Sequence, residues 1–332
     1  MQQRQSENAD TVLRETARRY RGFGQREARG VSPRYEEFSL GVAEDQDVLA
    51  FLSTLPEPKR QPNLLFACVK YLTGVQADYG AFRDYVMEHT EELRELMWTR
   101  NTQTNEPGRC AVLLPLLASL GQPIALLEAG AAAGLCLLPD RYGYDYGGHR
   151  VGPADAPVVF PCTPIGSVPL PERMPQVVWR RGVDLNPLDV TDPDTTAWLS
   201  ALVWAGDTDR EERLRAALRI AAVDLPPVLT GDILDAMTPL AESAPADATL
   251  VLFHSAVMPY LRPEDRTRFV ELASSLPNVW VSFEGRGALP EIDAGLAASG
   301  SDEDVFVLVR DGEPLALASP HGRWLRWLEP SS

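Results

Sequence analysis

The stretch Leu126-Leu127-Glu128-Ala129-Gly130-Ala131-Ala132-Ala133-Gly134-Leu135 sets the reading of the whole chain. An apolar run ends in an acid and passes into small residues, the pattern of a buried strand whose carboxyl end turns into a helix. Gly130 permits positive φ or close approach of a ligand, and Gly134 permits tight packing of the helix that follows. The free amides of that helix are expected to face the crevice. The dinucleotide fingerprint needs glycine at positions 130, 132 and 135, whereas the chain has Gly130, Ala132 and Leu135, a poor match to NAD. A turn of small residues packed for its own sake in any α/β protein reads similarly.

Working outward, short apolar runs recur at 124–127, 177–179, 249–253 and 279–283, separated by helix signals. Such runs suit a parallel sheet buried on both faces. Residues 305–310 and 314–319 flank Asp311 and Gly312, whose turn chemistry fits an antiparallel hairpin. An insertion at about 142–175 is rich in Gly and Pro and carries Tyr142, Tyr144 and Tyr146; it reads as a hairpin or lid, either covering or forming core. Before residue 120 the spacing is helical. Phe82, Tyr85, Val86, His89, Leu93, Leu96 and Met97 form one stripe, and Ser32-Pro33 is a helix start. The expected domains are therefore a helical cap over 1–120 and an α/β domain over 121–332.

Acids stand at successive strand ends. Glu128 would repel a pyrophosphate but favour an ammonium or sulfonium, the latter being what S-adenosylmethionine (SAM) carries. Asp184, in Val183-Asp184-Leu185-Asn186-Pro187, suits a pair of ribose hydroxyls, and Asp232 with Ile233 suits an adenine amine and face. Each acid alone also reads as a helix cap or an ion-pair partner. His254, in His254-Ser255-Ala256-Val257-Met258-Pro259-Tyr260, is a candidate general base or, equally, a hydrogen-bonded residue at a helix start. Glu284 is a pocket-floor candidate or a partner of Arg286. The polar run ahead of the loop, with Thr102, Gln103, Asn105, Glu106 and Arg109, offers side chains to the crevice, although Thr104 or Asn105 could simply cap.

The 332 residues carry 31 Lys plus Arg against 47 Asp plus Glu, a formal charge of −16, which argues against nucleic acid as a partner. The first thirty residues reverse this locally, with seven arginines against four acids, and read as a solvated helix face rather than an anion-binding arm. Four dispersed cysteines and four dispersed histidines give no metal-ligand spacing and suggest a reduced, cytoplasmic protein. No signal peptide or membrane span is expected.

The segments TRNTQTNEPGR, LLEAGAAAGL, DRYGYDYG, GVDLNPLDVTDP with WLSALVW, GDILDAM and LVLFHSAVMPYL together resemble the bacterial domain of unknown function 2332 family, which itself looks like class I SAM-dependent methyltransferases. The resemblance implies a Rossmann-like, mostly parallel seven-stranded sheet with a C-terminal antiparallel hairpin, plus the N-terminal helical domain. It places Glu128, Gly130 and Gly134 at the methionine part of SAM, Asp184 at the ribose, and Asp232 with Ile233 at the adenine, with Asn186 also among the cofactor-binding residues. His254, Tyr260 and Glu284 stand where catalytic groups are expected, and the acceptor is a small molecule. An inactive ligand-binding or scaffold protein is the alternative. A hydrolase using Ser255 and His254 is weaker, because no G-x-S-x-G elbow is present.

Overall fold

Ser32 and Pro33 start a helix, Pro33–Glu44, as their chemistry dictates: the serine oxygen accepts the Tyr35 N–H at 3.3 Å and the proline occupies the first turn. In this computed structural model residues 2–103, 105–293 and 305–329 are described, so Thr104 and its capping option lie outside them. The chain divides into two compact units, one of residues 1–104 with 192–212 and one of residues 105–191 with 213–332. Cys110–Ser119, assigned by its sequence to the helical half, thus lies in the second unit, and Trp198 and Trp204, assigned to the α/β half, lie in the first.

The first unit is helical. Its core gathers around Phe66, whose ring lies 4.8 Å from Tyr35, 5.6 Å from Phe82 and 5.9 Å from Phe38 and Tyr20, centroid to centroid. Trp204 packs on Phe23 at 5.1 Å, which is why 192–212 belongs here. Lys70 fastens the same segment by donating to the carbonyls of Ser200 and Val203 and to Glu211. The apolar stripe from Phe82 to Met97 runs over two helices, Tyr79–Glu88 and Thr90–Thr99, broken at His89; Phe82, Val86, Leu93 and Met97 are its buried members.

The second unit is α/β. Its strands are β1 (Ile124–Ala129), β2 (Gly143–Tyr146), β3 (His149–Val151), β4 (Val159–Pro161), β5 (Thr163–Ile165) and β6 (Val177–Asp184). They continue as β7 (Val228–Thr230), β8 (Thr249–Ser255), β9 (Val279–Gly285), β10 (Phe306–Arg310), β11 (Glu313–Ala318) and β12 (Trp324–Trp327). The large sheet runs β5-β12-β11-β10-β9-β8-β1-β6-β7, parallel from β7 through to β9. Every residue of β1 is buried, as its uninterrupted apolar run requires. Ala125, Leu127 and Ala129 share a face with Ile233, Met237 and Phe269 from the helices Ile233–Glu242 and Pro263–Ser275.

Several expectations are corrected. The sheet has nine strands among the described residues, where seven were expected, because β12 extends the hairpin into a meander and β5, from the insertion, pairs in parallel on its outer edge. No α-helix follows Gly134; two short 3-10 turns, Leu135–Leu137 and Pro139–Arg141, lead into the insertion instead. The run 177–179 is not buried throughout, and Val178 is 47% exposed, since β7 reaches only Gly182, Val183 and Asp184. The β10–β11 turn does form as expected, with Asp311 at φ 51° and Gly312 at φ 85°. The insertion builds a small sheet, β3-β2-β4, and its tyrosines are core: the hydroxyls of Tyr142, Tyr144 and Tyr146 donate to the carbonyls of Leu135, Pro139 and Ala111. Among the described residues no helix is long and apolar enough to cross a membrane.

Candidate functional site

The loop after β1 is held entirely by the second unit's own groups. The N–H groups of Gly130 and Ala131 both donate to the Val183 carbonyl, at 2.8 and 3.1 Å, which ties the loop to the end of β6. Ala132 N–H donates to Asp184 Oδ2 and Ala133 N–H to Asn105 Oδ1, each at 2.8 Å. Gly134 N–H returns to the Ala131 carbonyl at 2.7 Å. Five consecutive amides are therefore spent inside the protein, and the expected helix of free amides is absent. The loop is not an anion cradle.

The glycines answer to packing. Gly130 sits at φ 72°, and a Cβ there would lie 2.4 Å from Val257 Cγ2; at Gly134, φ 68°, it would lie 2.6 Å from Pro226. Ala132 also takes positive φ, 47°, a conformation that alanine does not advertise in sequence. Asp184 Oδ1 meanwhile accepts Asn186 N–H at 2.8 Å, so this carboxylate fastens two chain segments.

Strand alternation sorts the remaining residues. Glu128, Asp184 and Ser255 share one face of the sheet; Ala129, His254, Ser282 and Glu284 share the other. Glu128 is buried, and burial pushes its carboxyl well above the ordinary range, helped by Cys136 and Asp184 and opposed by Arg109. Its Oε2, the Asn105 Nδ2 and the Ser255 Oγ are buried without a hydrogen-bond partner. Arg109 donates to the carbonyls of Ser255 and Pro320, both at 3.1 Å, and lies over the Phe306 ring. Glu106 accepts Gly108 N–H at 3.0 Å and faces His321 at 3.4 Å, so it closes the turn ahead of the helix Cys110–Ser119.

His254 is not on the Glu128 side. Its ring is fully buried, 5.2 Å from Phe269 and 6.1 Å from Trp280, and its Nδ1 shares a 2.7 Å hydrogen bond with Glu284 Oε1. The same Glu284 oxygen accepts Val257 N–H at 2.9 Å. The pair thus fixes the segment whose Val257 side chain covers Gly130, a link no local sequence signal announces. A direct base role for His254 is corrected to this structural one. Ser255 and His254, adjacent on β8, point to opposite faces and cannot act as nucleophile and base. Glu284 faces His254 rather than pairing with Arg286.

Other candidates are dispersed. Asp232 is exposed and caps the helix Ile233–Glu242 by accepting Leu234 N–H at 2.8 Å, with Ile233 buried beneath it. Asn186 is exposed, and Tyr260 is 75% exposed. Thr102, which donates to Gln61 Oε1 at 3.3 Å, and Gln103 belong to the helical unit.

Comparison with curated proteins gives no match. A family description, "Uncharacterized protein conserved in bacteria (DUF2332)", matches residues 17–327. With nearly the whole length matched, this chain belongs to that bacterial family.

Proposed function

We propose that the α/β unit binds SAM above the Gly130 loop and serves methyl transfer to a small-molecule acceptor. The observation that carries this reading is the position of the loop: it leaves the carboxyl end of β1, the strand flanked by β6 on one side and β8 on the other. At such a switch point the flanking crossovers diverge and open a crevice for a ligand. The order β7-β6-β1-β8-β9 also supports a Rossmann-like methyltransferase fold, from which the β10-β11-β12 meander and the missing first helix depart.

The residues fit a ligand with a cationic centre better than a phosphate. Every loop amide is already engaged, whereas Glu128 Oε2 and the Asn105 amide nitrogen are each buried without a hydrogen-bond partner. A buried carboxyl with no partner gains most from meeting a cation. Glu128 and Asn105 would hold the amino-acid end, and Asp184, at the end of β6, would face the ribose. Asp232 with Ile233 would line the adenine end. When bound, SAM supplies an electrophilic methyl group. Of the catalytic candidates, Tyr260 is the one that solvent reaches; His254 and Glu284 act on the position of Val257.

A second reading, a ligand-binding protein without turnover, is favoured by that same displacement of His254 and Glu284 to the opposite face. Calorimetric titration with SAM and S-adenosylhomocysteine tests both. Saturable binding that weakens at least tenfold in Asp184→Ala supports the pocket. No heat from the folded wild type overturns it. Binding without methyl loss across an acceptor panel favours the second reading.

A further inference from the structure

The helical unit carries a cleft of about 850 Å³ that the α/β crevice does not explain. Its walls come from the end of the first helix, the wide π-type turn Phe23–Ala28, and the segment around Glu57 and Arg60. Five arginines line it, against only Glu15 and Glu57. In a chain of net charge −16 this is a local reversal of sign. The bland reading of the arginine-rich start, a helix face neutralised by neighbouring acids, predicts that each arginine has an acid beside it. Outside the cleft Arg29 pairs with Glu36 and Arg34 with Glu37, while Arg14 stands on the solvated helix face without an acid among the described residues.

Within the cleft the pairing is also only partial. Arg19 is bound by the Glu57 carboxylate at 2.6 Å, and Arg21 is paired with Glu44. Arg18 and Arg26 have no acid among the described residues, and Arg60 is anchored only through Nε on the Leu55 carbonyl at 2.7 Å. The Arg26 head lies against the first helix because position 22 is glycine; a Cβ there would meet its Nη2 at 2.9 Å. Arg26 belongs to the six-residue π turn Phe23–Ala28, an arrangement that concentrates at functional sites.

We propose that this cleft binds a small oligophosphate, a molecule carrying at least two phosphate charges. Uncompensated guanidinium groups in a cleft match phosphate oxygens bidentately, which ammonium groups do not. The volume exceeds that of a single phosphate and falls within the range of small-molecule sites, roughly 300–1,000 Å³. The site lies wholly within the helical unit and does not depend on the assignment of the α/β crevice.

The test is calorimetric titration of the full chain with inorganic tripolyphosphate, with citrate as a carboxylate of similar charge, at low and at physiological salt. The expected result is saturable tripolyphosphate binding, weaker at higher salt because exposed charges are screened. It should fall at least tenfold in Arg18→Glu and in Arg26→Glu and remain in Arg34→Glu, all three checked for folding by circular dichroism. Absence of saturable heat in the wild type overturns the proposal, as does an equal loss in Arg34→Glu. Equal affinity for citrate overturns the phosphate assignment, and binding confined to anionic phospholipid vesicles does the same.

Discussion

Val257 occupies the space that a side chain at Gly130 would need, with its Cγ2 2.4 Å from the position of a Cβ there. The glycine of the most diagnostic loop is therefore demanded by the protein's own packing as well as by its positive φ. Gly130→Ala should destabilise the fold by about 2–4 kcal/mol, from left-handed strain plus overpacking. Val257→Ala should relieve part of this, so the double variant is more stable than the two single losses predict by about 1 kcal/mol in denaturant unfolding. Strict additivity would refute the contact.

Glu128 supplies a pH dependence. Its folded carboxyl holds the proton well above the ordinary value of 4.5, while the unfolded chain releases it near that value. The neutral side chain thus contributes stability that is complete below 4.5 and is lost as pH rises from there toward the raised folded value. Glu128→Gln removes this dependence. Unfolding curves should show the variant gaining on the wild type as pH rises above 4.5 toward the raised folded value; parallel curves would contradict a neutral Glu128.

Protonation also gives the proposed ligand a signature. If a cationic group meets Glu128, the carboxyl ionises and its proton is released. Binding heats measured in buffers of different ionisation enthalpy should then differ in the wild type and coincide in Glu128→Gln.

The His254–Glu284 pair predicts a cost in stability rather than in chemistry. Glu284→Ala leaves His254 Nδ1 and the half-buried Val257 N–H without their acceptor, a loss of about 1–3 kcal/mol for each group that water does not reach. His254→Phe, which keeps the ring volume between Phe269 and Trp280, should cost less. Were His254→Phe to remain fully folded and lose only turnover, the structural role assigned here would fail.

Asp184 joins two strand-end segments through Ala132 N–H and Asn186 N–H. Because it is half-buried, water replaces part of what Asp184→Ala removes, and a loss of about 1–2 kcal/mol is expected from thermal or urea unfolding. Hydrogen exchange should accelerate at Ala132 before it does in β1.

Features that depend on local chemistry were legible in sequence. The Ser32-Pro33 start, the wholly buried β1 and the Asp311-Gly312 turn follow from capping, apolar continuity and tolerance of positive φ. The rest depends on distant partners. Ala132 takes a left-handed conformation because the Asp184 carboxylate, 52 residues away, holds its amide. The missing helix after Gly134 shares its small-residue signal with a helix start; it is the insertion that takes up the following chain. His254 and Ser255 read as neighbours, yet strand alternation sends them to opposite faces.

The membership of Trp198 and Trp204 in the helical unit sets an order of events during synthesis. The aromatic cluster around Phe66 is complete only when residues up to about 212 have left the ribosome, by which time β1 and the whole 142–175 insertion have already emerged. A chain cut at residue 104 would leave Phe23 and Tyr35 without the indole of Trp204. Nascent helices would wait, with apolar rings unshielded, while the first half of the α/β unit is made, and this interval is the point at which a chaperone would have most to protect.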